Sequence, residues 1–284
     1  VSGFARPDLF WSTDRLAEHA SDPLLRIVDC RFSFDGDARA AYLAGHLPGA
    51  VYCNWADDLS APPPPSGHPR WMLPDPAAFA ATMSRLGIGD RTMVVGYDAE
   101  GGHHAARLWL ALRRFGYDRM AVLEGGLQKW QRESRPLEPG DVHAEPARFT
   151  PRPRLGVVAS KAEVLAAVRT GDPWLLDVRS EAEYLGTEAR AARGGHIPGA
   201  VNILWKDALQ DDWTLRDPDA LDALYADAGF NADTATVTYC QAGVRAAFTH
   251  LVLTALGRDQ VRTYDGSWED WGNDPEVPVV VGRS

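Results

Sequence analysis

The 284 residues carry a formal net charge of −10 with 45% hydrophobic and 24% charged residues, an ordinary globular balance in a chain long enough for two domains. That acidity argues against a general binder of nucleic acid or anionic membrane, and no apolar run approaches the length of a membrane span. Three cysteines, Cys30, Cys53 and Cys240, are too few and too far apart for a disulfide framework or a zinc site, so no metal is expected and a reducing cytoplasm is the simplest setting.

From the N-terminus, Val1 to Pro7 lacks the charged-then-apolar pattern of a signal peptide. Ile27-Val28-Asp29 reads as a buried strand. Pro48-Gly49 fits a turn with proline second and glycine third, leading into a strand at Ala50-Val51. The run Ala61 to Gly67, with Pro62 to Pro65 consecutive, blocks helix and central strand and is expected to be a surface loop, with leaning over the neighbouring domain's site as the alternative. Asp75 to Leu86 predicts a helix, Val94 to Tyr97 a strand and Ala105 to Phe115 a second helix. Between Pro136 and Gly156 periodicity lapses and prolines accumulate, the mark of a stiff strap. The expected division is residues 1–138, a linker over 139–155, and 156–284. Beyond it the pattern predicts helices over Lys161 to Val168, Asp217 to Ala228 and Arg245 to Leu256. Strands are predicted at Trp174 to Leu176, Ala200 to Asn202 and Thr236 to Tyr239. Alternating strands and helices with short crossovers give an α/β fold, each half a mostly parallel sheet flanked by helices.

Four blocks occur twice in the same order. Leu24 to Arg31 matches Trp174 to Arg179, and Gly45 to Val51 matches Gly195 to Val201. Met93 to Asp98 matches Ala235 to Cys240, and Leu123 to Trp130 matches Tyr264 to Trp271. The period is too long for a solenoid and marks duplication of a whole domain. The copies differ where Asp98 stands opposite Cys240, so only the second is equipped for thiol chemistry. The first is kept for structure or to shape a cleft.

Cys240 follows a β-branched run and precedes a short loop, Gln241-Ala242-Gly243-Val244, that ends in Arg245 and helical sequence. A strand that hands a cysteine to a helix N-terminus surrounds the sulfur with N–H groups and the positive end of the helix dipole. Such surroundings lower a thiol's pKa and make it a nucleophile. Gly243 lets the loop curl so that its amides face the sulfur. Arg245, a cation at a helix start, opposes the dipole and is expected to answer a ligand's negative charge, its fork suiting an oxyanion. Asp177 and Arg179 end a predicted strand, where open α/β sheets place their sites, although an ion pair holding the strand end explains them as well. The adjacent His103 and His104 lack companions at ligand spacing. His46 and His196, which recur in both copies, point to a structural role, and Trp268 and Trp271 to core packing.

These blocks resemble the rhodanese family, and their tandem arrangement resembles its two-domain sulfurtransferases. The resemblance implies two rhodanese-like domains, the second catalytic, with a sulfane sulfur carried as a persulfide on Cys240 and no organic cofactor. Thiosulfate is the expected donor and a small thiophile such as cyanide the acceptor. 3-Mercaptopyruvate as donor, or a carrier passing sulfur to a protein partner, stays open. The resemblance also implies substrate contacts from Arg245, Arg179 and the loop Gln241 to Val244, and a cleft wall from Phe32, His103 and His104. Many relatives carry an arginine where Glu183 stands, which leaves Arg190 or Arg193 to supply that charge, or a less cationic pocket. Cysteine phosphatases use a similar loop but place five residues between cysteine and arginine, whereas four intervene here.

Overall fold

The structure, a computed structural model, describes residues 3–34, 37–230 and 233–283. Among the described residues ten strands form two separate sheets. The first unit holds β1 (Phe10–Trp11), β2 (Leu25–Asp29), β3 (Val51–Tyr52), β4 (Met93–Tyr97) and β5 (Met120–Leu123). The second holds β6 (Val158–Ala159), β7 (Trp174–Asp177), β8 (Val201–Asn202), β9 (Thr236–Tyr239) and β10 (Val261–Tyr264). The strand orders are β1-β5-β4-β2-β3 and β6-β10-β9-β7-β8, which is one topology written twice. Every pairing is parallel. In register, Asp29 lies beside Tyr97 and Asp177 beside Tyr239, so the two copies end their central strands alike.

Sequence-predicted elements recur within a residue or two, the helices as Pro76–Arg85, His103–Arg114, Lys161–Thr170, Pro218–Asp227 and Val244–Ala255. Gly49 and Gly199 have φ of 70° and 77°, as the third position of a Pro-Gly turn requires. Strands β1, β5, β6 and β10 were not among the sequence expectations. No helix or strand lies between Arg132 and Leu155, where the chain joins the two units.

Helices His103–Arg114 and Val244–Ala255 pack against each other at the centre of the molecule. Both are buried almost all round, as apolar helices must be. One continuous hydrophobic core therefore runs through both units, with a smaller core on the far face of each sheet. The buried Arg107 donates to Asp265 Oδ1 (2.5 Å) and to the Trp71 carbonyl (2.7 Å), which pins the second unit to the first. Among the described residues no helix is long and apolar enough to cross a membrane. The three cysteines are free and buried.

The proline run is a surface loop, and the chain just after it reaches the other unit. Pro62 to Pro65 lie at the surface, but the segment that follows does more than skirt it. His68 Nδ1 and Arg70 Nε each lie 2.7 Å from Glu269 Oε1, and the Leu73 N–H donates to Asp265 Oδ2 (2.7 Å). The segment is a strap across the second unit. Proline stiffens its approach, and two buried carboxylates of the other unit fix its far end.

Candidate active site

Strand β9 ends at Tyr239, and Cys240 follows it with 1% of its surface exposed. Gly243, at φ 72°, turns the loop into the helix. A Cβ there would lie 2.8 Å from Arg107 Nη1 and 2.9 Å from the Asp265 carbonyl, so glycine is required by conformation and by space. The leading N–H groups of that helix, which begins four residues after Cys240, have no intrahelical acceptor and form the positive end of its dipole. The loop is fixed from behind by the segment after β10. Ser267 Oγ accepts from the N–H groups of Cys240 and Gly243, both at 3.1 Å, and donates to the Tyr264 carbonyl at 2.8 Å. The N–H groups of Trp268 and Glu269 reach the carbonyls of Cys240 and Gln241 at 2.9 and 2.8 Å.

Arg245 departs from expectation. Its guanidinium is engaged two-pronged by Glu183, Nη1 to Oε2 at 2.7 Å and Nη2 to Oε1 at 3.0 Å. The charge that opposes the helix dipole is thus answered from within the chain, at a side chain 2% exposed. Burial pulls the Glu183 carboxyl upward, but the Arg245 hydrogen bonds and charge outweigh it and hold the group at about 2. Arg190 Nε stands 3.8 Å from the same carboxylate and 2.8 Å from Glu188. Arg193 is spent on the carbonyls of Trp271, Asp274 and Val277.

The first unit repeats the strand-loop-helix with Asp98 in the cysteine's place. Asp98 begins its loop directly after β4 and is completely buried. Its Oδ1 accepts from the N–H groups of Glu100 and Gly102 at 2.8 Å, and its Oδ2 from those of His104 (2.8 Å) and Ala105 (3.2 Å). Burial would raise its pKa, yet the neighbouring imidazoles and these N–H donors lower it. Burial pushes His103 down, and His104 down to about 3, so both rings are neutral near pH 7. The histidine pair does have a companion at ligand spacing, contrary to expectation, because the strand end brings Asp98 beside it: donor atoms of Asp98, His103 and His104 lie within 4.8 Å of one another. Both carboxylate oxygens already hold two N–H donors at a helix N-terminus, which is a setting for an anion, not a cation.

The two loops open on one cleft of about 750 Å³. Phe32, Phe34, Trp55, Trp71, His103 and His104 form the wall from the first unit. Opposite them lie Cys240, Gln241, Ala242, Val244 and Arg245. Four cations (Arg70, Arg190, Lys206, Arg245) face four carboxylates (Glu100, Glu183, Glu188, Glu269), so the cleft is formally neutral in an acidic protein. Most sequence-derived site residues therefore converge. Arg179 does not. It is 1% exposed, bonded to both oxygens of Asp177 and to the Gly195 carbonyl, and packed 4.4 Å over the Trp268 ring, the strand-end ion pair weighed against a substrate contact. Gly243 lies in the loop but behind the cleft's lining. His46 and His196 stack on Tyr42 and Tyr184 away from the cleft.

Sequence reasoning missed Glu183 as the partner of Arg245, Glu269 as the anchor of the strap, and Ser267. Glu183 stood out only as an acid where many relatives carry arginine, and Ser267 only as one of several differences from its counterpart Gly126 in the duplicated block.

A family model for the rhodanese-like domain matches residues 12–133 and again 160–274. The chain is 35% identical to the 3-mercaptopyruvate sulfurtransferase of Escherichia coli, over 95% of this chain and 97% of that protein. It is 35% identical to the sulfur carrier protein TtuD of Thermus thermophilus, over 99% of each. Identity to the thiosulfate sulfurtransferase of Corynebacterium glutamicum is 36%, over 99% of this chain and 93% of that protein. Among solved structures, SseA of Escherichia coli, a 3-mercaptopyruvate sulfotransferase, superposes with a TM-score of 0.83 at 32% identity. That match covers 92% of this chain and 98% of SseA.

Proposed function

The chain belongs to the rhodanese-like family as a tandem sulfurtransferase, and from that premise we propose that it transfers sulfur from thiosulfate through a persulfide on Cys240. The observation that carries the reading is the pair of loops: one holds a carboxylate in its amide cradle, the other holds a thiol on the same cleft. The Cys240 thiolate attacks the outer sulfur of thiosulfate. A Cys–S bond to that sulfur forms, the donor's S–S bond breaks, and sulfite leaves with the electron pair. The helix's leading N–H groups stabilise the negative charge on the new outer sulfur. A thiophilic acceptor then attacks that sulfur, and Cys240 leaves as thiolate. The neutral cleft supports an anionic donor better than the rest of this acidic surface.

One observation favours a second donor. Glu183 already answers the charge of Arg245, which reduces what a dianion gains there, and 3-mercaptopyruvate needs less of that charge. Intact-mass measurement after mixing with each donor, followed by peptide mapping, tests both readings. One added sulfur on the Cys240 peptide is expected, with thiosulfate loading faster. Faster loading from mercaptopyruvate would reassign the donor, and no added sulfur from either would overturn the persulfide. A small thiophile and a protein are both chemically competent acceptors.

A further inference from the structure

We infer that Ser267 is a positioning residue, whose hydroxyl props the Cys240 loop from behind and so leaves the helix's leading N–H groups to the sulfur. The inference rests on the persulfide reading above and assigns a role within it.

The duplication supplies the control. Gly126 and Ser267 are counterparts, with φ of 52° and 51°. That region suits glycine and disfavours a residue with a Cβ. The second unit nonetheless keeps a fully buried serine there. In the first unit the Gly102 N–H is satisfied by Asp98 Oδ1 at 2.8 Å; in the second, its counterpart on Gly243 is satisfied by Ser267 Oγ at 3.1 Å. The serine thus takes over one task that the carboxylate performs, at the position where a cysteine replaces the carboxylate. A hydroxyl has one donor and two acceptor sites. Here the donor goes to the Tyr264 carbonyl and the acceptors to the N–H groups of Cys240 and Gly243. Nothing is left to touch the sulfur, so Ser267 acts through the loop. The segment that carries it is itself held by the other unit, through Asp265, which accepts from Arg107 and from the Leu73 N–H.

Two variants separate the hydroxyl from the backbone. Ser267→Ala removes the hydroxyl and keeps the Cβ; Ser267→Gly removes both and reproduces the first unit. Folding is checked by circular dichroism. The readout is the rate of Cys240 alkylation by iodoacetamide between pH 6 and 10, followed on the mapped peptide. Both variants should react about tenfold more slowly at pH 7, with the pH profile displaced upward by about one unit, as for a thiolate less well stabilised. A parent-like rate and profile in either folded variant would overturn the inference, and a defect in alanine alone would assign the effect to backbone strain instead. Alkylation needs no sulfur donor. Failure here would leave the persulfide reading standing, whereas absence of added sulfur in the parent protein would fell that reading and leave Ser267 only a role in setting the thiol's reactivity.

Discussion

The loops that begin at Asp98 and Cys240 are the same device in two states. Each leaves the C-terminal end of a central parallel strand, turns through a glycine with positive φ, and starts a buried helix. Each offers an anion the N–H groups of a helix start. In the first loop a resident carboxylate takes four N–H groups, two from the loop and two from the helix's first turn, and the site is closed. In the second, Ser267 takes two backbone N–H groups from behind, and the cysteine stands before the rest. An aspartate side chain ends in an oxygen two bonds beyond Cβ, as a persulfide ends in a sulfur. Asp98 therefore occupies its cradle much as the charged outer sulfur would occupy the other. The lesson is that one cradle serves stability or chemistry according to whether its anion is built in or brought in.

The largest effect that would break this comparison is loss of the thiol. Cys240→Ser should lower thiocyanate formation from thiosulfate and cyanide by about 1000-fold or more, since a hydroxyl without a base is a poor nucleophile. Cys30→Ser and Cys53→Ser should keep most of the rate, because burial raises both of those thiols well above their ordinary range and holds them protonated. Equal loss in all three would erase the difference between the copies.

The resident anion is tested by stability. Asp98→Asn places an amide donor against two backbone N–H groups, at roughly 1–3 kcal/mol for each lost acceptor. Urea denaturation should show a loss on the order of 3 kcal/mol. Sulfur transfer measured well below the transition should remain within about threefold of the parent. An unchanged midpoint would mean that the carboxylate does not close the first cradle.

The smallest effect is acid-linked. Glu183 has its ordinary value of 4.5 when unfolded and about 2 when folded beside Arg245. The unfolded chain binds the proton first as pH falls, so this group's stabilisation is complete above pH 4.5 and is lost towards pH 2. Glu183→Gln should therefore lose less stability than the parent between pH 5 and pH 3, measured by urea denaturation at each pH. His104 contributes its own loss below pH 6.5 in both proteins, because burial depresses it to about 3. Parallel pH dependence in parent and variant would show that the Glu183–Arg245 pair is not linked to folding.

Much of this was legible along the chain because it is local. The duplicated blocks, the β-branched strand before Cys240, the helix after it and the turn glycines depend on neighbouring residues alone. Strand β1 is two residues long and β5 is the four-residue run Met120–Leu123, whose composition suits a helix equally well. The hydrogen-bonded neighbours of those strands, distant in sequence, decided them. Arg245 could be recognised as a cation misplaced on a helix dipole, but its answer was Glu183, 62 residues upstream. Asp98 could be seen to differ from Cys240, but not that the fold buries it among its own amides.

The sequence by itself determined that there are two like α/β units and that only the second bears a thiol at a helix start, because strand, loop and helix are specified by short-range pattern. Tertiary structure alone decided which charges are free and which are spent. It paired Arg245 with Glu183 and Arg107 with Asp265, and set Ser267 behind the thiol. A buried charge or N–H group is satisfied by whichever partner the packing brings within about 3 Å, and that partner need not be near it in the chain.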